Sequence, residues 1–327
     1  MKAIVFRKYG PPDVLRVEEV EKPAPKDDEV LVKIHAATVA TADCEARSFT
    51  FPLWFWLPLR LMFGVLKPRK PIQILGQELA GEIEAVGKNV KNFKKGDQVF
   101  AAIRGFGAHA EYKSLPASGP MATMPANLPY EEAVTFTVFA LNALHFIRKA
   151  DLQRGQKILI NGAGSSIGTT AVQLAKHYGA EVTAVDSAGK LDMLRAIGAT
   201  QIIDFAKQDF TKNGVTYDVI LDVIGKSSYS RSLKALSPEG RYILANPKAL
   251  PMLRGQWTNR TSAKKVMFEF AGEKPEDLLF LKGLIEAGAL KAVIDRRYRM
   301  EEIVEAHAYV ASGQKKGHVI LAIEHDD

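Results

Sequence analysis

The sequence predicts an α/β fold in which a doubly wound parallel sheet is joined to a mainly antiparallel β-barrel or sandwich. Three observations predict it. From about residue 125 onward, continuous apolar strands alternate with helices, as parallel strands buried on both faces should. One of those strands, at residues 157–161, runs into a glycine turn and then a helix. Residues 1 to about 120 read instead as short strands divided by turn signals.

The elements follow in order. Strands are expected at residues 2–6, 14–20, 30–36, 81–86, 98–102 and 110–114, and the turn Lys95-Gly96-Asp97 precedes one of them. The stretch 49–70 interrupts this series and is rich in aromatics (Trp54, Phe55, Trp56) and prolines. Its most apolar window, 51–66, holds Pro52, Pro58 and Arg60 and is too short and too broken to span a bilayer. It reads as an apolar loop on the substrate side, with contact to a membrane surface as the alternative. A helix is expected at 130–148. Strands at 201–204, 217–222 and 241–245 then alternate with helices at 191–197 and 228–236, and right-handed crossovers make the sheet doubly wound. Residues 247–265 read as loop and turn. A helix at 277–287, a strand at 292–296, a helix at 301–312 and a strand at 318–323 complete the chain. The last strand has no evident partner in the parallel sheet and is expected to return to the first domain.

The most informative stretch is Lys157-Ile158-Leu159-Ile160-Asn161-Gly162-Ala163-Gly164-Ser165-Ser166-Ile167-Gly168. Its helix continues through Ala171, Val172, Leu174 and Ala175 and stops near Gly179. A second apolar strand, 182–185, ends on Asp186, 18 residues past Gly168. A strand, helix and strand over about 30 residues is the size of a dinucleotide-binding unit. Glycine lets the backbone turn tightly and approach a pyrophosphate, whose charge is met by amides at a helix N-terminus. An acid at the tip of the second strand can bond the adenosine ribose hydroxyls. The spacing, G-x-G-x-x-x-G, is longer by one than the commoner form. The reading is a nicotinamide coenzyme site.

The totals set bounds. A chain of 327 residues should hold about two domains with a large core. Its 47% hydrophobic and 25% charged residues are ordinary for a globular protein. The single cysteine, Cys44, rules out a disulfide framework or a multi-cysteine zinc site within one chain. It suits a reducing compartment, and a cytoplasmic location is expected. Net charge is +7, with pI about 9.2. The lysines are scattered apart from short runs at 67–70 and 315–316, so attraction to anionic ligands is expected and nucleic-acid binding is not. The N-terminus, Met1 to Phe6, reads as a strand rather than a signal peptide.

Several short motifs run along nearly the whole chain: Met1-Lys2-Ala3-Ile4, Gly76-Gln77-Glu78-Leu79-Ala80-Gly81 with Val86-Gly87, and Lys95-Gly96-Asp97-Gln98-Val99. They continue in Asn161 to Gly168, Ala171-Val172-Gln173-Leu174-Ala175-Lys176, Gly179-Ala180 and Lys316-Gly317-His318-Val319. Together these resemble the medium-chain dehydrogenase/reductase superfamily and, within it, the zinc-free quinone oxidoreductase-like branch. The resemblance implies a barrel-like (GroES-like) domain of residues 1–124, completed by 266–327, around a Rossmann coenzyme domain of residues 125–265. It implies an active site in the cleft between them and a homodimer formed through edges of the coenzyme sheet.

Departures from the family pattern carry information. Zinc-dependent relatives bind the metal through a cysteine, the histidine of a Gly-His-Glu motif, and a further cysteine or acid. Here Gln77 stands at the histidine position and Ala40 at the first cysteine, so no zinc is expected. Cys44 matches neither position and reads as a small half-buried residue. Without a metal to polarise a carbonyl, the resemblance implies hydride delivery to an already conjugated acceptor, a quinone or another α,β-unsaturated carbonyl. Relatives often have Gly-Gly where Ser165-Ser166 stands, Asn at Ala40 and Thr at Asn142. Asn142 can still hydrogen-bond near the nicotinamide, whereas Ala40 cannot. No proton donor is assignable: Thr41, Asp43 and Tyr112 are candidates, alongside solvent or a coenzyme hydroxyl.

The expected coenzyme residues are Asn142, Gly162, Gly164, Ser165, Ser166, Ile167, Gly168, Asp186, Lys190, Val223, Ile224, Gly225, Leu244 and Ala245. Asp186 favours a free 2′-hydroxyl, hence NAD; Lys190 stands where NADPH-using relatives often carry a phosphate-binding lysine, so NAD(P)H is the expectation. Residues 223–225 and 244–246 lie at carboxyl ends of parallel strands, where ligands of open sheets bind. The substrate side is assigned to Phe49, Trp54 and Trp257, with Phe51, Phe55, Trp56, Met252 and Leu253 around them, a surface suited to flat hydrophobic acceptors. His109, His145 and His307 read as structural. The leading expectation is a zinc-independent NAD(P)H oxidoreductase. A coenzyme-binding sensor with little catalysis, and a membrane-associated interaction protein held by residues 51–66, are the alternatives.

Overall fold

The structure, a computed structural model, describes residues 1–51, 53–246, 248–269 and 271–325; the side chains of residues 53–55 lie outside that description. The chain divides into two compact units. One comprises Met1–Val138, Glu273–Glu286 and Ala292–Asp327; the other comprises Phe139–Gly272 and Ala287–Lys291.

The second unit is built on a six-stranded parallel sheet. Its spatial order is Gln201–Asp204, Glu181–Asp186, Lys157–Asn161, Tyr217–Asp222, Leu236–Leu244 and Lys265–Met267. In chain order that is 3-2-1-4-5-6, the doubly wound order whose ligand crevice opens where the winding reverses, between the first and fourth strands. The register brings Val185, Asn161, Asp222 and Leu244 abreast at the carboxyl ends. Ile158, Leu159, Ile160, Val219, Ile220 and Leu221 are fully buried, because both sheet faces are covered. The excursion 287–291 belongs here because Gln173, on the helix Ser166–His177, bonds both backbone groups of Lys291, at 2.8 and 3.0 Å.

The first unit is mainly antiparallel. Its seven-stranded sheet runs Ile294–Arg299, His318–Ala322, Glu29–Thr38, Glu78–Val86, Gln98–Ala102 and Met121–Thr123, with Tyr112–Pro116 also paired to Glu29–Thr38. Lys2–Phe6 and Leu15–Glu19 form a separate hairpin pair. As the sequence led us to expect, the last strand returns to the N-terminal sheet and pairs antiparallel with Glu29–Thr38.

Three expectations need correction. The expected helix 130–148 is broken into Tyr130–Ala133, a tighter turn Val134–Phe136, and Val138–Lys149. Thr137 makes the break, with φ −103° and ψ −114°, and its hydroxyl donates to the buried Glu78 carboxylate at 2.9 Å. The apolar stretch expected as a loop contains the helix Leu53–Phe63, and a further helix, Thr41–Ser48, leads into it. Pro58 stands inside Leu53–Phe63; its missing N–H removes one helix bond without ending the helix. Residues 247–265, expected as loop, contain the helix Ala249–Thr261. It turns Leu250, Leu253 and Trp257 outward, so no buried apolar periodicity marks it. Gly255 lets it pack closely: an added Cβ would lie 2.8 Å from Phe268 and 2.9 Å from Val266.

Candidate active site

The glycine turn is shaped by three contacts. Gly162 adopts φ +86°, and a side chain there would meet Ile224 at 2.4 Å. A Cβ on Gly168 would approach the carbonyl oxygens of Gly162 and Ala163 at 2.3 and 2.5 Å, so only glycine lets helix Ser166–His177 start this close to the strand. Ser165 caps that helix: its hydroxyl accepts the Gly168 N–H at 3.0 Å and donates to the Gly162 carbonyl at 2.8 Å. Ser166 and Ile167 occupy the first turn, where amides lack a helical carbonyl four residues back.

Asp186 is buried and faces this turn. Its carboxylate accepts N–H bonds from Gly164 and Ser187, both at 2.8 Å, and pairs with the Lys190 ammonium at 3.1 Å. Lys190 is not a solvated charge. It is buried, and its stem lies over Gly164, where an added Cβ would meet it at 2.5 Å. The acid and the lysine from which the sequence led us to expect opposite coenzyme preferences are thus one ion pair.

Sequence reasoning missed Asp222, which organises the next strand ends. This fully buried carboxylate accepts from Asn161 Nδ2 and Gly225 N–H, each at 2.9 Å, from Tyr242 OH at 3.1 Å, and from the Ser227 hydroxyl. Burial, with Asp222 adding to it, raises the Tyr242 phenol above its ordinary value, so Tyr242 stays a neutral donor. Gly225, at φ +67°, turns the loop, and Asn246 Nδ2 ties it to the neighbouring strand end through the Val223 carbonyl at 2.7 Å. Val223, Ile224, Gly225, Leu244 and Ala245 are therefore held in one network at the point where the winding reverses. The available signal was an acid closing an apolar strand, the same signal that marked Asp186. Asn142 is half-buried on the helix that enters this unit.

In the first unit, Phe49 is 7% exposed. It ends the helix Thr41–Ser48 in a left-handed conformation, φ 56°, at the centre of an aromatic cluster with Tyr9, Phe51, Trp56 and Phe63. Trp54 belongs by its backbone to the helix Leu53–Phe63, but its side chain lies outside the described residues. Trp257, in the second unit, is 70% exposed.

The candidate proton donors differ in environment. Asp43 is buried and accepts N–H bonds from Ala40 at 2.8 Å and Gly76 at 2.9 Å. Burial raises its carboxyl above the ordinary range, opposed by His109 and by those two amides. Tyr112 carries the Lys22 ammonium over its ring, 3.7 Å from the centroid. Thr41 is exposed at the start of its helix. Cys44 is buried beside His307, 3.5 Å from Nδ1. Among the described residues, no three His, Cys, Asp or Glu side chains are grouped to hold a metal ion.

Comparison with known proteins adds to this geometry. The model of the alcohol dehydrogenase GroES-like domain matches residues 26–126, and that of the zinc-binding dehydrogenase matches residues 197–321. A quinone oxidoreductase of Sus scrofa is 31% identical over 323 residues, covering 94% of this chain and 93% of that protein. The chain belongs to the quinone oxidoreductase-like branch of the medium-chain dehydrogenase/reductase superfamily. A 2-methylene-furan-3-one reductase of Solanum lycopersicum is 30% identical, covering 98% of this chain and 79% of that protein. The structure of a quinone oxidoreductase from Coxiella burnetii superimposes with TM-score 0.88 over 99% of each chain, at 24% identity. The medium-chain fold, a Rossmann-type parallel sheet with a GroES-like domain, is the architecture expected from the sequence.

Proposed function

We propose that this chain is a zinc-independent NAD(P)H-dependent oxidoreductase that reduces a quinone or another α,β-unsaturated carbonyl. The observation that carries the reading is the strand-end network, in which Gly162, Gly164 and Gly168 shape the turn and Asp222 holds residues 223–225 beside it. The names of relatives that align over nearly the whole chain support the acceptor class.

The residues fit a dinucleotide because none of the three glycines has room for a side chain, so the turn is tight and the helix starts close against the strand. Ser165 shapes the turn, and the amides of Ser166 and Ile167 at the helix start take the pyrophosphate. Asp186 and Lys190 meet the adenosine ribose. Val223, Ile224, Gly225, Leu244 and Ala245, with Asn142, border the nicotinamide. When bound, the coenzyme supplies the hydride. The chain's own work is to fix these backbone positions before binding, so that little ordering is left to the reaction. Gln77 stands where a zinc ligand would be needed, and the conjugated acceptor spreads the developing charge without one.

The acceptor is received on an apolar surface suited to flat hydrophobic molecules. Asp43 accepts two backbone amides and acts as a positioning residue, which leaves Thr41, Tyr112, solvent or a coenzyme hydroxyl as the source of the proton. The lone cysteine supports a cytoplasmic setting, and the edge strand Lys265–Met267 supports pairing of two copies.

The test is a fluorescence titration of the purified protein with NADPH and with NADH, followed by addition of a quinone and of an enone. Binding followed by acceptor-dependent oxidation is expected. Binding with no turnover of either acceptor leaves a coenzyme-binding protein and overturns the reductase reading. No binding overturns the coenzyme site itself.

A further inference from the structure

The helix Leu53–Phe63 has two unlike faces. Leu59 and Phe63 are buried in the core of the first unit, and Phe63 meets Phe49, Phe51 and Phe106 edge-on at 6.2, 5.8 and 6.0 Å. The other face holds Leu57, 60% exposed, with Leu61 and Met62, each 55% exposed. Val65 and Leu66 extend this face past the helix end, and Leu66 is 90% exposed. An apolar face of this size, pinned from behind by its own core, marks an interaction surface.

Charge adds a second, independent feature. From Ala46 to Gln77 the sequence has five cations (Arg47, Arg60, Lys67, Arg69 and Lys70) and no Asp or Glu. Lys67, Arg69 and Lys70 are exposed directly after the apolar face. Their turn is ordered: Arg69 N–H donates to Phe63 O at 2.8 Å, and Gln73 Nε2 to Pro68 O at 3.1 Å. Arg60 lies over the rings of Tyr9 and Phe49, 4.2 and 4.4 Å from the centroids, so its stem and charge border the apolar face.

We propose that this helix and the basic turn after it seat the protein on an anionic phospholipid surface. Leu57, Leu61, Met62 and Leu66 enter the interface, while Lys67, Arg69 and Lys70 take headgroup phosphates. The helix lies on the membrane and does not cross it: 11 residues reach about 16 Å, and no described helix is long and apolar enough to span. A second copy of the chain is a poorer occupant, because two-fold pairing through this face would bring the two basic turns together. Docking stands apart from the reductase reading, since vesicle binding is measured without coenzyme. If both hold, acceptors dissolved in the bilayer are within reach of the enzyme.

The experiment is co-sedimentation of the full chain with phosphatidylcholine vesicles, with and without phosphatidylglycerol, at low and high salt. We expect binding to vesicles containing phosphatidylglycerol, weaker binding to phosphatidylcholine alone, and weakening by salt. Neutralising one cation should cost about fivefold in affinity, so the triple variant Lys67→Gln, Arg69→Gln, Lys70→Gln should bind roughly a hundredfold more weakly. The pair Leu61→Gln, Leu66→Gln should lose binding to both vesicle types. All five positions are exposed, and unchanged circular dichroism and urea midpoints would show that the variants fold. Failure of the parent protein to bind either vesicle overturns the proposal, as does binding that every variant retains. Self-association in sedimentation velocity that Leu61→Gln, Leu66→Gln abolishes, without vesicle binding, makes the face an interface between copies and also overturns it.

Discussion

The strand ends around Asp222 and the aromatic segment around Phe49 are built on opposite principles. At the strand ends polar groups find partners inside the protein: one carboxylate accepts from Asn161, Gly225, Ser227 and Tyr242, and another accepts from Gly164 and Ser187 while pairing with Lys190. Around Phe49 the contacts are ring edges and one stacked guanidinium. Hydrogen bonds fix atoms in direction as well as distance, whereas ring packing fixes volume and tolerates rearrangement. The first region is suited to reading one defined coenzyme. The second is suited to apolar partners that share a shape rather than a set of polar atoms.

Breaking the polar region should do the most damage. Asp222→Ala leaves buried donors without an acceptor, and stability should fall by about 4 kcal/mol in urea titrations, with coenzyme affinity lost as well. Phe63→Ala should cost about 3 kcal/mol by leaving a cavity under its helix, yet leave the coenzyme dissociation constant unchanged in fluorescence titration. If Phe63→Ala weakened coenzyme binding as much as Asp222→Ala, the division of labour between the two regions would be wrong.

A comparable loss should come from acid. Burial lowers the His318 imidazole to about 3, with Lys315 adding to it, and lowers His307 well below its ordinary value, with His109 and Arg47 adding. Both rings are neutral in the folded protein, while in the unfolded chain they take up protons near pH 6.5. The unfolded state therefore binds more protons below that pH, and stability falls as pH falls. Each ring should contribute a slope of about 1.4 kcal/mol per pH unit from pH 6 downward, roughly 3 for the two. Urea midpoints at pH 7, 6 and 5 measure this, and His318→Gln should remove about half of the slope. A midpoint that does not move with pH would mean that these rings are not buried neutral.

What was legible in the sequence follows the same division. The tight turn at Gly162, Gly164 and Gly168 and the placing of Asp186 against it were readable because they depend on local backbone geometry and on spacing along one strand–helix–strand unit. The return of the last strand was readable from its lack of a partner. Asp222 was not, because Asn161 and Tyr242 reach it only through sheet register. Nor was the break at Thr137, which depends on Glu78, 59 residues away in sequence. The helices Leu53–Phe63 and Ala249–Thr261 were missed for a different reason: each turns apolar side chains to the outside, so periodicity could not separate a buried face from an exposed one.

Two smaller effects sharpen the comparison from inside each region. In the polar one, Asp186→Ser removes the acceptor that holds Lys190 and the charge that would repel a 2′-phosphate. The ratio of NADPH to NADH dissociation constants should move about tenfold toward NADPH, which is about 1.4 kcal/mol. An unchanged ratio would mean that neither residue of the pair reads the ribose.

In the first unit the informative residue is Cys44, which sits beside a histidine as a nucleophilic thiol would. Burial pushes its thiol up to about 12, with Asp43 adding to the rise and Arg47 opposing it. His307, 3.5 Å away, is held neutral by the same burial and so offers no imidazolium to stabilise a thiolate. At pH 8 only about one thiol in ten thousand is ionised. The native protein should therefore resist a thiol reagent for hours, react fully once unfolded in urea, and keep its turnover after exposure to the reagent. Rapid labelling of the folded protein would mean that the thiol is reachable and charged, and that this corner of the unit carries chemistry rather than packing.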